Sequence, residues 1–422
     1  MAAFCAKAQT IAPVPRTMPH VVVLFHRLGP YHFARLQAAA TVLPILAIET
    51  FGVDETYAWD SIPGAGHFER VTLFQRADAQ TLPTVEVVQR VQSALDKADP
   101  AVVVIPGWSD CAALGALQWS LKNHIPAIVM SDSTVWDEKR VWWKEWIKSR
   151  LVTLCSAGLA AGAPHADYLA RLGMARDRTF LGYDAVDNDY FADKAEQIRS
   201  QRSDVRSRHG LPKKYFLASA RFVEKKNLSR LIEAYSRYRE LATKGNDEKP
   251  TVQIWNLILM GDGPLRSKIE SQLSTLKLRD HVLLPGFKQY AELPTYYAFA
   301  GAFVHASVTE QWGLVINEAM ASGLPVLVSN RCGCATDLVR QGRNGFTFDP
   351  YNVEELAQLM LKVSTIDFPL GGLGMASSEI ISQWGTARFV RGLTNAVETA
   401  LRNVRPQGSW MDRLILRQLM SR

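Results

Sequence analysis

Between residues 302 and 329 the chain reads as an apolar run, a short polar loop, a helical stretch closed by a glycine, and a second unbroken apolar run. Neither run, 302–306 or Leu324-Pro-Val-Leu-Val-Ser329, shows the polar alternation of a strand with one face in water. Both suit parallel strands covered on each side. Leu314, Val315, Ala319 and Met320 fall at near-helical spacing, and Gly323 suits the stop. Two such strands joined by a helix point to a layered α/β sheet. The same frame places Glu310 in a loop at the carboxyl end of a strand and Glu318, eight residues on, two turns into the following helix. That edge of an open α/β sheet is where ligands bind.

The alternation extends through the chain. Strands are expected at 20–25, 43–49, 101–105, 127–130 and 152–155, between helices at 31–41, 84–98, 111–123, 137–150 and 163–172. A polar, charged stretch ending near Pro212 reads as a connection over 196–213. Strands at 215–220, 254–260, 282–284, 302–306 and 324–329 then alternate with helices at 228–241, 264–276, 290–300 and 314–322. The fold class is α/β, with two Rossmann-like domains at 20–195 and 214–385. A length of 422 residues suits two domains of about 200 each.

Hydrophobic residues make up 47% and charged residues 21%, ordinary for a soluble enzyme. No apolar run approaches the ~18–20 residues that cross a bilayer. Residues 1–19 carry Pro13, Pro15 and Pro19 and lack the apolar core of a signal peptide, so a disordered leader is expected. Cys5, Cys111, Cys155, Cys332 and Cys334 form neither a C-x-x-C pair nor a zinc set, which fits a reducing cytoplasm. Cys332 and Cys334 flank Gly333, where small size explains them better than redox chemistry. The formal charge of +7 suggests an anionic partner. With no nucleic-acid motif present, a nucleotide diphosphate and an anionic lipid surface fit it better.

Arg221 follows the first strand of the second half, and Lys226 precedes a helix with Asn227 as the expected N-cap. A forked guanidinium, an ammonium and free helix amides together suit a diphosphate. Gly261-Asp-Gly-Pro264 opens another strand-to-helix turn and serves either ligand contact or architecture. No G-x-G-x-x-G follows a strand, which disfavours a Rossmann dehydrogenase. Asp187-Asn-Asp189 spells D-x-D but falls in the interdomain connection rather than at a strand end facing a nucleotide, so no metal site is expected there.

The words H-A-S-x-T-E-Q-W-G-L-V-I-N-E-A-M-A-S-G, G-D-G-P and G-R-N-G-F-T-F-D, with the E-x7-E spacing, resemble the retaining glycosyltransferases of family 4, within glycosyl transferases group 1. The resemblance is strong from about 215 to 350 and weak before it. It implies the GT-B fold, two Rossmann-like domains facing across a cleft, with a helix at 386–405 returning to the first domain and a basic tail at 406–422. It implies that Arg221 and Lys226 grip a donor diphosphate, that Glu318 binds the ribose hydroxyls, and that Glu310 lies against the transferred sugar. Gly313 and Leu314 would lie beside the diphosphate, Phe287 beside the base, and Gly261 and Gly29 close to the donor. Gly29 stands alone where relatives commonly carry a glycine pair. Asp132 stands where many relatives carry a histidine, and with His26 and His32 it forms the expected acceptor side; a structural role for either histidine stays open.

The implied activity is retaining, metal-independent transfer of a hexose from a UDP- or GDP-type nucleotide sugar to a hydroxyl, without a cofactor. The implied acceptor is a lipid-linked glycan in polysaccharide biosynthesis, reached from the cytoplasmic side of the plasma membrane, with no nucleic acid involved. Trp136, Trp142, Trp143 and Trp146 among basic residues suit an interfacial helix or a packed interdomain one. Two alternatives share the fold: a nucleotide-sugar 2-epimerase, and a non-catalytic nucleotide-sugar-binding subunit.

Overall fold

The computed structural model describes residues 20–53, 59–60, 66–75, 82–244, 252–403 and 406–421. The expected disordered leader lies outside the described residues. The N-terminal domain carries β1 (Val21–Phe25), β2 (Ile45–Phe51), β3 (Glu69–Phe74), β4 (Val102–Pro106), β5 (Ala127–Ser131), β6 (Ala157–Ala160) and β7 (Thr179–Leu181). The C-terminal domain carries β8 (Tyr215–Ser219), β9 (Asn256–Met260), β10 (Val282–Leu283), β11 (Ala302–His305), β12 (Val326–Ser329) and β13 (Gly345–Phe348). Among the described residues each domain forms one parallel sheet, in the orders β3-β2-β1-β4-β5-β6-β7 and β10-β9-β8-β11-β12-β13. The order reverses between β1 and β4 in the first sheet and between β8 and β11 in the second, and loops diverge there to leave a crevice.

Continuous apolar runs form the central strands because both faces are covered. In β1, Val22 and Leu24 join a core with Val87 and Leu117 from helices Thr84–Ala98 and Cys111–Asn123. Val21, Val23 and Phe25 join the opposite core with Leu36 from helix Pro30–Ala39 and with Phe389, Leu393 and Val397 from helix Thr386–Arg402. Successive residues thus serve opposite layers, as the two-residue strand period requires. Each such side chain contributes about 1.5–3 kcal/mol by leaving water. In β8, Tyr215 and Leu217 face one core, Phe216 and Ala218 the other.

Several elements differ from the sequence reading. Residues 152–155 are not a strand: helix Trp142–Thr153 runs through Val152, and the strand is β6, A-G-L-A. That helix begins at Trp142 rather than at 137, because Arg140 pairs with Asp137 and the Thr134 carbonyl and holds the preceding loop. The connection is helical, Asn188–Ser200 and Arg202–Arg208, and the Asp187 side chain caps the first of these through Tyr190 N at 3.0 Å. The basic tail includes helix Trp410–Met420, with Ser409 as N-cap; it buries Leu416 in the N-terminal core, and Arg150 pairs with Asp412 at 2.7 Å.

Candidate active site

A cavity of about 300 Å³ lies at the carboxyl edge of the second sheet. Two loops at its topological switch point supply the charged wall. The loop after β8 carries Arg221 and a 3-10 turn, Glu224–Lys226; the loop after β11 carries Ser307 to Gly313. The Lys225 carbonyl accepts from Val308 N at 3.0 Å, so the loops are tied together. Asn227 is not the expected side-chain cap. It adopts a left-handed φ of 57°, and its Nδ2 donates to the carbonyls of Ala306 (3.1 Å) and Pro350 (2.7 Å). Its side chain therefore locks the turn that aims Lys226, while its carbonyl accepts from Leu231 N of the next helix at 3.2 Å.

Glu310 accepts from Lys226 Nζ, lies 3.0 Å from His305 Nε2 and accepts from Ser307 Oγ at 3.2 Å. Burial opposes its charge, but the Lys226 ammonium and His305 outweigh it and hold the carboxyl well below the usual carboxylate range. Its backbone is fixed from behind by residues 332–334: Gly333 N donates to the Glu310 carbonyl at 3.0 Å, and Cys332 and Cys334 are fully packed. A Cβ at Gly333 would sit 1.6 Å from the Gln311 carbonyl oxygen, which explains the small residues there.

Helix Leu314–Ala321 starts at Gly313, whose φ of 105° suits glycine. Glu318 stands one turn into this helix, not two. It is fully buried; Oε1 accepts from Tyr31 Oη and Oε2 from Tyr297 Oη at 2.6 Å. Burial pushes its carboxyl up to about 7, with the two phenols opposing. Gly261, at a φ of 129°, lets Ala220 approach so closely that a Cβ would lie 1.9 Å from the Ala220 oxygen.

The cavity thus brings together Arg221, Lys226, Gly261, Phe287, Glu310, Gly313, Leu314 and Glu318, with Asp132 on the facing wall. Gly29, His26 and His32 are not among its described lining residues. Gly29 caps helix Pro30–Ala39. His32 is stacked on Phe25 at 4.3 Å, its Nδ1 3.0 Å from the Arg27 carbonyl, and burial pushes its imidazole down to about 3. His26 pairs with Asp110 at 3.0 Å, at the switch point of the first sheet.

Sequence reasoning missed five residues of this site. His305 and Ser307 stand inside the H-A-S-x-T-E word, where their spacing to Glu310 was the available signal. Tyr31, Tyr297 and Asp184 meet the site only through the tertiary fold. Asp184 lines the cavity beside Asp132 and is held by the buried Arg35 guanidinium at 3.1 Å. Burial, and then Asp184, push Asp132 up to about 7.

Comparison with known proteins agrees with this fold. The structure resembles that of Anabaena HepE in complex with UDP and glucose, with a TM-score of 0.67 at 18% identity over 90% of this chain and 99% of that one. The architecture is GT-B. Residues 200–367 match the family model of glycosyl transferases group 1. Among curated relatives, the sulfoquinovosyl transferase SQD2 of Arabidopsis thaliana is 27% identical over 275 residues, covering 64% of this chain and 49% of that one. The alpha-monoglucosyldiacylglycerol synthase of Acholeplasma laidlawii is 27% identical over 173 residues, 40% of each. The chain spans about half or less of the length of the curated relatives it matches.

Proposed function

We propose that the protein is a retaining, metal-independent glycosyltransferase that moves a hexose from a nucleotide-diphosphate sugar to a hydroxyl of a lipid-linked glycan, in polysaccharide biosynthesis at the cytoplasmic face of the membrane. The observation that carries the reading is one cavity holding Arg221 and Lys226 beside both glutamates of the E-x7-E pair. A leaving nucleoside diphosphate needs its developing charge stabilised rather than a proton, and two fixed cations supply that. Lys226 exchanges Glu310 for the diphosphate, which frees Glu310 to accept from the sugar hydroxyls. The bond from the anomeric carbon to the phosphate oxygen breaks with its electron pair going to phosphate. The acceptor oxygen bonds to the same face, and its proton passes to the departing phosphate. Asp132 and Asp184, opposite Glu310, orient the acceptor.

A lipid-bound acceptor is supported by two helices on the N-terminal domain. Trp142 is 81% exposed and Trp410 77%, with Trp146 and Leu414 also exposed. Exposed Lys144, Arg413 and Arg417 stand on the same two helices, a combination suited to an anionic bilayer surface. Lys148 does not contribute, since it is paired with Glu138 and Glu145. The name of one relative, the alpha-monoglucosyldiacylglycerol synthase, also includes a glycosylated lipid.

The test is transfer to a polyprenyl-diphosphate-linked sugar in anionic vesicles, with the product anomer read by NMR. The donor's anomeric configuration is expected in the product; an inverted product rejects the retaining mechanism. Trp142→Ala with Trp410→Ala is expected to lower vesicle binding about tenfold, and unchanged co-sedimentation rejects the membrane surface.

A further inference from the structure

Glu318 is the residue meant to receive a ribose, yet each of its carboxylate oxygens already accepts a phenol hydroxyl. Tyr297 holds Oε2 from helix Leu293–Phe299 of the same domain, packed under the site with no exposure. Tyr31 holds Oε1 from helix Pro30–Ala39 of the other domain, 287 residues away in sequence. Its ring meets Trp59 edge-on at 6.2 Å, and Trp59 in turn meets Phe287 at 5.1 Å. Trp59 is anchored to the N-terminal domain by Arg27, whose Nη2 donates to the Trp59 carbonyl at 2.7 Å. The N-terminal domain therefore places a hydroxyl on the ribose-binding carboxylate and an aromatic ring on the residue expected beside the base.

We infer that Tyr31 latches the two domains together at the nucleoside end of the cleft, its phenol occupying the Glu318 oxygen that a ribose hydroxyl takes when the donor binds. The inference rests on the donor-site reading above. A phenol and an alcohol are both single O–H donors, and an ionised carboxylate only accepts, so one can replace the other without leaving a buried group unpaired. Tyr297 cannot give way without opening the core. Tyr31 can, because its helix belongs to the facing domain and its side chain is only half-buried. Donor binding thus exchanges an interdomain hydrogen bond for a ligand hydrogen bond. Apparent affinity is the intrinsic affinity multiplied by the fraction of molecules that are unlatched.

The test is calorimetric binding of UDP, GDP and ADP to the full chain, wild type against Tyr31→Phe, which removes the hydroxyl and keeps the ring. The variant is expected to bind the preferred nucleotide about three- to tenfold more tightly, the change that follows from losing one competing hydrogen bond. In a Glu318→Gln background the gain from Tyr31→Phe is expected to shrink, because the bond being released is weaker. A merely structural contact would lower the melting temperature without tightening binding. Should Tyr31→Phe fold poorly, Tyr31→Leu serves, with the same sign expected. Equal or weaker nucleotide binding by folded variants overturns the inference and leaves the donor site standing. If the wild type binds none of the three nucleotides, the donor-site reading itself falls, and the latch with it.

Discussion

Lys226→Ala is expected to lower turnover by about 10²–10³-fold, the scale of losing one fixed donor to charge that develops in the transition state. Binding of the nucleotide sugar should suffer less, because the diphosphate, already anionic in the donor, gains a further negative charge only as the bond breaks. The substitution also disturbs the protein without substrate. The side chains of Lys226 and Glu310 are 13% and 12% exposed, so removing the cation strands a buried carboxylate. Breaking such a pair typically costs about 3–5 kcal/mol, here reduced by His305 and Ser307, which remain. Lys226→Met combined with Glu310→Gln should recover much of that stability and none of the turnover, separating the two roles. The pH behaviour follows from the depressed Glu310 carboxyl. Its contribution to stability is complete above the ordinary glutamate value of about 4.3 and is lost as pH falls through the lower folded value. Chemical denaturation across that range checks it; Glu310→Gln should remove this component.

Glu318→Gln is expected to weaken donor binding by about ten- to a hundredfold, since hydrogen bonds to a charged acceptor contribute about 1.5–3 kcal/mol each. Glutamine has nearly the same shape, so the buried helix should keep its packing. A wild-type pH dependence accompanies this. The Glu318 carboxyl is pushed up to about 7 by burial, against the opposing phenols of Tyr297 and Tyr31. The ionised form is the stronger acceptor for a ribose hydroxyl, so affinity for a UDP-sugar, whose diphosphate does not titrate in this range, should rise as pH passes upward through about 7. The Glu318→Gln variant should be flat there. For stability the sign is reversed. A carboxyl whose folded pKa lies above its unfolded one loses its stabilising contribution as pH rises, here between about 4.3 and 7. A flat wild-type binding profile would contradict the role given to Glu318.

The E-x7-E segment was legible because local pattern and tertiary placement agree there: an apolar strand, a glycine at the turn and a helix all fall within 28 residues. The central strands were legible for the same reason, since β1, β4 and β12 are apolar on both faces. β6 was not. Its A-G-L-A has little strand propensity, while the preceding L-V-T-L-C looks like a strand and is the end of a helix. β3, at the sheet edge, carries alternating exposure and polar residues that masked it. Tyr31 and Glu318 could not be paired from sequence, because only domain docking brings them together. Gly29, His26 and His32 do not line the described cavity: Gly29 is the N-cap of its helix, His26 pairs with Asp110 and His32 meets the Arg27 carbonyl.

The central claim is that this cleft binds a nucleotide sugar through Arg221, Lys226 and Glu318. Thermal stabilisation by UDP-, GDP- and ADP-sugars, measured for the wild type and for Arg221→Ala, tests it most directly. The account predicts a clear upward shift with one nucleotide class and its loss in the folded variant. No shift with any nucleotide sugar, or a shift that Arg221→Ala retains in full, would contradict it.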